Sequence, residues 1–398
     1  MGFKLDRQRS DLTLKVDVVI VGAGPAGSTA AYYLANKFNR KVLLIDKAFF
    51  PRDKPCGGYL TSRVFTRFNY LRKVKNKIIE VPTYGSYFYG PDLSQLEWRM
   101  ENPVGYLVLR IKFDNFLKDL AVSSGVQFIE GQEVVDISIR KNTAQIMLAN
   151  GHSIHGNLII GADGVRSIIA KKSGIYSKLD KGICVVTEIK INKEEIDEIF
   201  GEKRPTYYFY GFKDIIGYGW LFPKKNHLNI GIGGPSNAGR EIGRLFPIFI
   251  NYLKQENLVP VSIKIKEKFS AALIPTSTAL YLNHSYSDRV LLVGDALGVA
   301  SSVSGEGIYQ SMASGEDAAI IANQALDEQK FDTEFLRQYE KLWKKDLANE
   351  LKMVGNIMQL GSSGDKREIL RKIKYFFERM RNEKELFEYF ARIFFGFK

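Results

Sequence analysis

The sequence predicts an α/β protein in which a parallel-sheet domain is interrupted by an inserted antiparallel sheet and followed by a C-terminal helical region. Three observations carry this. An almost continuous apolar run at Val16–Val21 meets a glycine-rich turn, an Ala-rich helical stretch and a second apolar run at Lys41–Asp46, the pattern of a buried βαβ unit. Two more apolar runs that end in loops, Leu158–Gly161 and Val290–Gly294, lie far downstream. Around Tyr84–Tyr89 and from Ile183 to Gly234 the pattern changes to aromatic and β-branched segments broken by Gly and Pro, as in antiparallel strands of a second layer.

The first unit is the most explicit. Val16–Val21 runs into Gly22-Ala-Gly24-Pro-Ala26-Gly27, then Ser28–Asn36, whose alanines favour helix, and then the strand ending at Asp46. A GxGxxG turn between a strand and a helix, with an acid at the end of the next strand, is the Rossmann dinucleotide fingerprint. The glycines permit a tight turn and close approach of a pyrophosphate to the N–H groups of the helix start. Asp46 would accept hydrogen bonds from ribose hydroxyls and disfavour a 2′-phosphate. Further on, Arg110–Val122 reads as a helix, and Gln127–Ile129, Glu133–Ile139 and Ala144–Leu148 as short strands; from Gly307 the pattern is mainly helical. The expected division is a discontinuous nucleotide domain (16–80, 106–180 and 272–340), a substrate sheet (81–105 and 181–271) and a helical region (341–398).

Composition sets outer limits. Of 398 residues, 45% are hydrophobic and 25% charged, which excludes global disorder. No apolar run reaches the ~18 residues of a spanning helix. Residues 1–17 mix Lys4, Asp6, Arg7, Arg9, Asp11 and Lys15 without an apolar signal core, and Asp6 stands where a myristoylation signal needs Ser or Thr, so a cytoplasmic location is expected. Two cysteines, Cys56 and Cys184, cannot build a disulfide framework or a Cys-ligated cluster. His152, His155, His227 and His284 show no metal-ligand spacing, His152 and His155 reading as loop residues, so no metal is expected. The net charge of +13 favours anionic partners. No nucleic-acid reading module accompanies it, which leaves a lipid surface or a diphosphate-bearing substrate.

Two downstream segments narrow the dinucleotide to FAD. Gly161-Ala-Asp163-Gly164-Val-Arg166-Ser167 and Leu292-Val-Gly294-Asp295-Ala296 each follow an apolar strand. With the first fingerprint they resemble the three flavin motifs of hydroxylase-type flavoproteins of the glutathione-reductase-like superfamily. The resemblance implies that Asp163 and Asp295 belong to the cofactor site, that Arg110 reaches the cofactor from a helix start, and that Val134 offers backbone contacts to the adenine.

Lys54-Pro55-Cys56-Gly57-Gly58-Tyr59-Leu60, Tyr218-Gly-Trp220-Leu-Phe222-Pro223 with Gly231-Ile-Gly233 downstream, and Gly305-Glu306-Gly307-Ile308 resemble the geranylgeranyl reductase family, archaeal lipid reductases included. The resemblance implies reduction of C=C bonds in geranylgeranyl chains of diphosphates or membrane glycerophospholipids, with electrons from ferredoxin, a nicotinamide or a deazaflavin. Gly57, Gly58 and Leu60 would bring backbone to the flavin edge, and Gly307 and Ile308 would open a helix whose N–H groups favour an anionic reduced flavin. Tyr218, Trp220 and Phe222 share a strand face by period two, and with Pro223 would form an apolar wall for a polyprenyl chain, each buried CH₂ contributing ~0.8 kcal/mol. The same aromatics also fit a sheet core facing a helix. The proton donor is open among Tyr218, Cys56 and an ordered water, and Cys56 itself reads equally as a reactive thiol or as a small residue in a tight loop. Arg52, Lys54, Lys224 and Lys225 could hold a phosphate or form a solvated face.

One stretch departs from the family: Val299-Ala-Ser301-Ser302-Val303 stands where a proline usually follows the Gly-Asp motif. The tail, with Arg371–Met380 and Phe387–Phe397 alternating basic and aromatic residues, reads either as an amphipathic helix on the inner membrane surface or as a cap on the substrate tunnel. Rival functions are a flavin monooxygenase or hydroxylase of the same fold, and an FAD- and lipid-binding protein without turnover. A halogenase would carry a second Trp and an Ile where this chain has Tyr218 and Phe222. A cluster-bearing quinone-linked dehydrogenase lacks the cysteines it would need.

Overall fold

The computed structural model describes residues 15–175, 181–263, 269–275, 278–281, 284–301, 304–362 and 365–397, with backbone alone at 278, 281 and 352–362. The chain divides into two compact units, one of residues 1–52, 111–180 and 275–353, the other of residues 53–110, 181–274 and 354–398. These limits place residues 53–80 and the tail beyond 353 with the aromatic sheet.

The first unit is built on an eight-stranded sheet. Its parallel part runs in the spatial order Gln127–Ile129, Val42–Ile45, Lys15–Val21, Ser153–Gly161, Val290–Leu292. The central strands are buried on both faces, which is why they read as unbroken apolar runs rather than alternating ones. Val134–Arg140 and Thr143–Leu148 form a hairpin that extends the sheet antiparallel to Ser153–Gly161. His155 therefore lies in a strand, paired with Lys15, and not in a loop as the neighbouring glycines imply.

The first helix begins earlier than its alanines indicate, at Pro25, and widens into a π-turn over Tyr33–Lys37. Proline suits the first helical position, where its missing N–H leaves no bond unmade. The helix is buried from Pro25 to Ala31, and the long Ile308–Glu328 helix lies against it. A Cβ at Gly315 would stand 2.3 Å from the Ala26 carbonyl oxygen, so the two backbones meet through glycine.

The second unit carries a seven-stranded sheet in the order Ser270–Pro275, Lys181–Lys190, His227–Pro235, Tyr218–Pro223, Thr206–Tyr210, Gly85–Tyr89, Gln95–Arg99, and a three-stranded sheet of Tyr59–Thr61, Gly105–Leu107 and Val81–Thr83. Alternation sorts its side chains. Val185, Tyr207, Phe209, Leu221, Ile230 and Ile232 face the Gly239–Gln255 helix and form one core with its Ile242, Phe246, Phe249, Ile250 and Leu253. The opposite face carries Phe88, Tyr208, Tyr210, Tyr218, Trp220 and Phe222.

The part of that face formed by Phe88, Tyr208 and Tyr210 is covered by the tail. The helices Lys366–Asn382 and Lys384–Phe394 place Phe394 4.9 Å from Tyr208 and 5.2 Å from Phe88, ring to ring, Phe390 5.5 Å from Phe88, and Phe377 5.5 Å from Tyr210. Phe395 stacks on Trp98, whose indole N–H donates to Glu388 at 2.9 Å. The apolar side of the tail is thus committed to the sheet, and the large residues it turns outward are Tyr375 and Tyr389, 60% and 58% exposed. Among the described residues no helix is long and apolar enough to cross a membrane.

Candidate active site

In the first unit the glycine loop has the form that the fingerprint requires. Gly22 sits at φ +104°, and a Cβ there would meet the Ala162 carbonyl oxygen at 2.2 Å. A Cβ on Gly27 would lie 1.9 Å from the Gly22 oxygen, whereas one on Gly24 would find only the Arg52 guanidinium, 3.6 Å away. Two of the glycines thus close the turn and the third keeps its outer side clear. The Asp46 carboxylate, nearly buried, accepts the N–H of Ala23 at 2.8 Å through one oxygen and that of Ala48 at 2.8 Å through the other. A carboxylate has about four acceptor sites, so capacity for ribose hydroxyls remains after the loop is pinned. Ala26 is buried in the first turn of the helix that follows.

The other cofactor candidates of this unit lie at helix starts, in a turn and at a strand start. Asp163 caps the Ile168–Lys172 helix: it accepts from the Ser167 hydroxyl at 2.6 Å and from the Ile168 and Ile169 N–H groups at 2.7 and 3.2 Å. Burial raises its carboxyl above the ordinary range despite those bonds. Asp295 lies in the Gly294–Ala296 turn, and its Oδ1 is 3.9 Å from where a Gly307 Cβ would be. Gly307 caps the helix that Ile308 opens. Val134 is buried where its strand begins. Arg110, which the division leaves with the second unit, is buried at the start of the Arg110–Ser123 helix. The departing stretch is described only to Ser301; Ser302 and Val303 lie outside the described residues. The donor set of the first unit fits FAD: a side-chain-free loop at a helix start for the pyrophosphate, a ribose acid, and a second acid beside another helix start.

In the second unit Tyr218, Trp220 and Phe222 form a continuous row, with ring centroids 6.0 and 6.4 Å apart, and Pro223 ends their strand in a buried position. Tyr218 pairs with Gly233, which in turn pairs with Cys184, while Trp220 pairs with Gly231. A Cβ on Gly231 would lie 2.1 Å from the indole, so this glycine lets Trp220 lie down on the neighbouring strand. Burial raises the Tyr218 phenol well above its ordinary range, so it stays protonated. Cys184 is buried as well, and its thiol is pushed up to about 12 by desolvation, with Cys56 near enough to add to the rise.

The Cys56 loop packs on this row. A Cβ on Gly57 would come 2.5 Å from the Phe222 ring, and one on Gly58, at φ +73°, 2.2 Å from the Val108 oxygen. Both glycines are therefore needed by packing within the unit. Cys56 is half-buried, and Leu60 is buried in the strand that follows.

The basic candidates divide. Arg52 pairs with the buried Asp114 at 2.9 Å and lies over the Phe50 ring. Lys225 is exposed. Lys224 is neither exposed nor at a mouth: it is 0% exposed, and its Nζ donates to Glu188 Oε2 at 2.8 Å. Its position in a strand end bordered by the apolar Phe222 and Pro223 gives the physical reason, since the side chain points into the unit and takes its counter-ion from the next strand but one. Sequence reasoning missed Glu188 and Asn229 altogether. A signal existed: Asn229 precedes Gly231 by two, and period two puts both on the face of Trp220.

Comparison with known proteins places these features in a family. Residues 15–341 match the family described as FAD binding domain. A Methanosarcina barkeri protein without a functional name is 32% identical over 330 residues, covering 82% of this chain and 80% of its own length. The digeranylgeranylglycerophospholipid reductase of Methanococcus vannielii is 29% identical over 364 residues, covering 84% and 85%. The crystal structure of a geranylgeranyl bacteriochlorophyll reductase-like protein from Thermoplasma acidophilum shares the fold, with a TM-score of 0.73, 24% identity, and coverage of 94% of this chain and 99% of that one. With the glycine loop, the ribose acid and the downstream Gly-Asp turn all formed, the chain belongs to the FAD-binding-domain family and is an FAD-dependent oxidoreductase.

Proposed function

We propose that this protein saturates C=C bonds in the polyprenyl chains of membrane ether lipids or their diphosphate precursors. The observation that carries the reading is the aromatic row Tyr218–Trp220–Phe222 with the Cys56–Gly58 loop packed on it. Such a surface has few hydrogen bonds to offer and much apolar area, so it suits a chain whose binding comes from CH₂ and CH₃ burial at ~25 cal/mol per Å². The relatives named as digeranylgeranylglycerophospholipid reductases support the same substrate class.

FAD, when bound and reduced by an external donor such as a ferredoxin, a nicotinamide or a deazaflavin, would supply hydride chemistry at this site. The chain's residues supply the rest. An isolated alkene has no group to stabilise added negative charge, so a proton must arrive early or together with the hydride, and water must be kept out. Tyr218 is the first candidate to hold that proton: it stands half-buried at the start of the apolar row, and its phenol stays neutral. Cys56 is the second candidate, as a half-buried thiol on the loop above the row.

The test is anaerobic incubation of dithionite-reduced holoenzyme with geranylgeranyl diphosphate and with a digeranylgeranyl glycerophospholipid, followed by mass spectrometry. Products heavier by successive hydrogen pairs are expected, with Tyr218→Phe slowing turnover by about 10²-fold or more if it is the donor. No hydrogen gain on either substrate refutes the reading; oxygen-dependent gain of an oxygen atom assigns the protein to the hydroxylase chemistry of the same fold.

A further inference from the structure

We infer that Asn229 is a positioning residue that fixes the Cys56 loop against the Trp220 indole, an inference that rests on the reading of that loop and that indole as the reacting face. Asn229 is 1% exposed and stands in register between Phe222 on one neighbouring strand and Glu188 on the other. Residues directly opposite in antiparallel strands share a face, so three side chains from three strands meet beneath the loop.

The amide is fully directed. Its Oδ1 accepts the Trp220 indole N–H at 2.7 Å, and its Nδ2 donates to the Cys56 carbonyl at 2.9 Å and to Glu188 Oε2 at 2.9 Å. An indole nitrogen can only donate, so the oxygen of the amide must face it and the nitrogen must face the two acceptors. No other side chain of this size offers one acceptor and two donors in that order: Asp has no donor, and Leu has neither.

The charge pair behind it has the same sense. Lys224, wholly buried, donates to the same Glu188 oxygen at 2.8 Å. Buried ion pairs add little to stability over apolar residues of equal volume, so stability alone does not account for this one. It gives Asn229 a carboxylate held in place to lean on. The ammonium also lies 3.1 Å from where a Gly58 Cβ would be, and Val108 N–H donates to the Gly58 carbonyl at 2.8 Å. The loop is therefore held at Cys56 by Asn229 and at Gly58 by the Val108 hydrogen bond, and Cys56 and Trp220 share one anchor.

The test uses full-length holoenzyme in three forms: wild type, Asn229→Asp, and Asn229→Asp combined with Glu188→Gln. The single variant loses both donors and places two carboxylates together. The double variant removes that repulsion, because the amide introduced on one strand can donate to the carboxylate introduced on the other, yet it still cannot tether the Cys56 carbonyl. The rate of Cys56 alkylation by iodoacetamide is read by peptide mass spectrometry, beside FAD content and melting temperature. A positioning role predicts that the double variant regains FAD content, melts above the single variant, and alkylates Cys56 about tenfold faster than wild type, the order set by losing one buried amide–carbonyl hydrogen bond. It also predicts a fall in kcat larger than any rise in KM on the geranylgeranyl substrate. Alkylation of the double variant at the wild-type rate overturns the inference. If wild-type enzyme reduces no prenyl substrate, the functional reading fails, while the alkylation rates still decide the tether.

Discussion

The two units reach a working surface by opposite means. In the first, the candidate cofactor loop is made of what is missing: Gly22, Gly24 and Gly27 lack side chains, and the one carboxylate, Asp46, spends part of its capacity holding the loop's own backbone. In the second, the surface is made of large side chains brought together from several strands, with Asn229, Glu188 and Lys224 tying them. The first kind tolerates almost no addition, and the second almost no removal.

Gly27→Val is the largest expected effect. Its Cβ would lie 1.9 Å from a backbone oxygen, in a helix start already closed against Ala162, so a loss of about 3 kcal/mol or more and apo protein on purification are expected, read by the flavin-to-protein absorbance ratio and by a denaturant melt. Lys224→Met cuts the other way. It leaves Glu188 without its cation and is expected to cost about 2 to 4 kcal/mol with FAD still bound, whereas Lys225→Met next to it should leave the melt unchanged. Equal effects at the two lysines would break the contrast. The smallest effect concerns Cys184. Because its thiol is pushed up to about 12 in the fold, the unfolded chain releases that proton first as pH rises beyond the ordinary thiol range, and stability should fall from there up to about pH 12. Cys184→Ala should flatten this alkaline slope in melts, and wild-type Cys184 should resist iodoacetamide at neutral pH while Cys56 reacts.

The same difference decides what could be read in advance. The glycine loop, Asp46 and the Gly-Asp turn are local in sequence, because backbone conformation is set by neighbours along the chain, and they appeared as motifs with their structural context attached. The aromatic row was legible too, since Tyr218, Trp220 and Phe222 alternate within one strand. Glu188 and Asn229 were not, because a cross-strand pair depends on register, and register is fixed by hairpins whose bulges and lengths are invisible in composition. Lys224 was read as a surface charge for the same reason: its counter-ion lies 36 positions away in the chain. The tail's role was left open between lipid and cap because amphipathic periodicity states that a face will be covered without stating by what; the rings of Phe377, Phe390 and Phe394 on the sheet give the cover.

Gly231 has a consequence for how such a surface can change. Since the indole of Trp220 rests where a methyl group would otherwise sit, a single alanine there would lift the ring from its strand, tilt it about the Asn229 bond, and redraw the contour of the aromatic row. A hydrogen atom at one backbone carbon thus sets the floor height of an entire aromatic plane, and its shape can be changed by editing the strand beneath rather than the rings themselves.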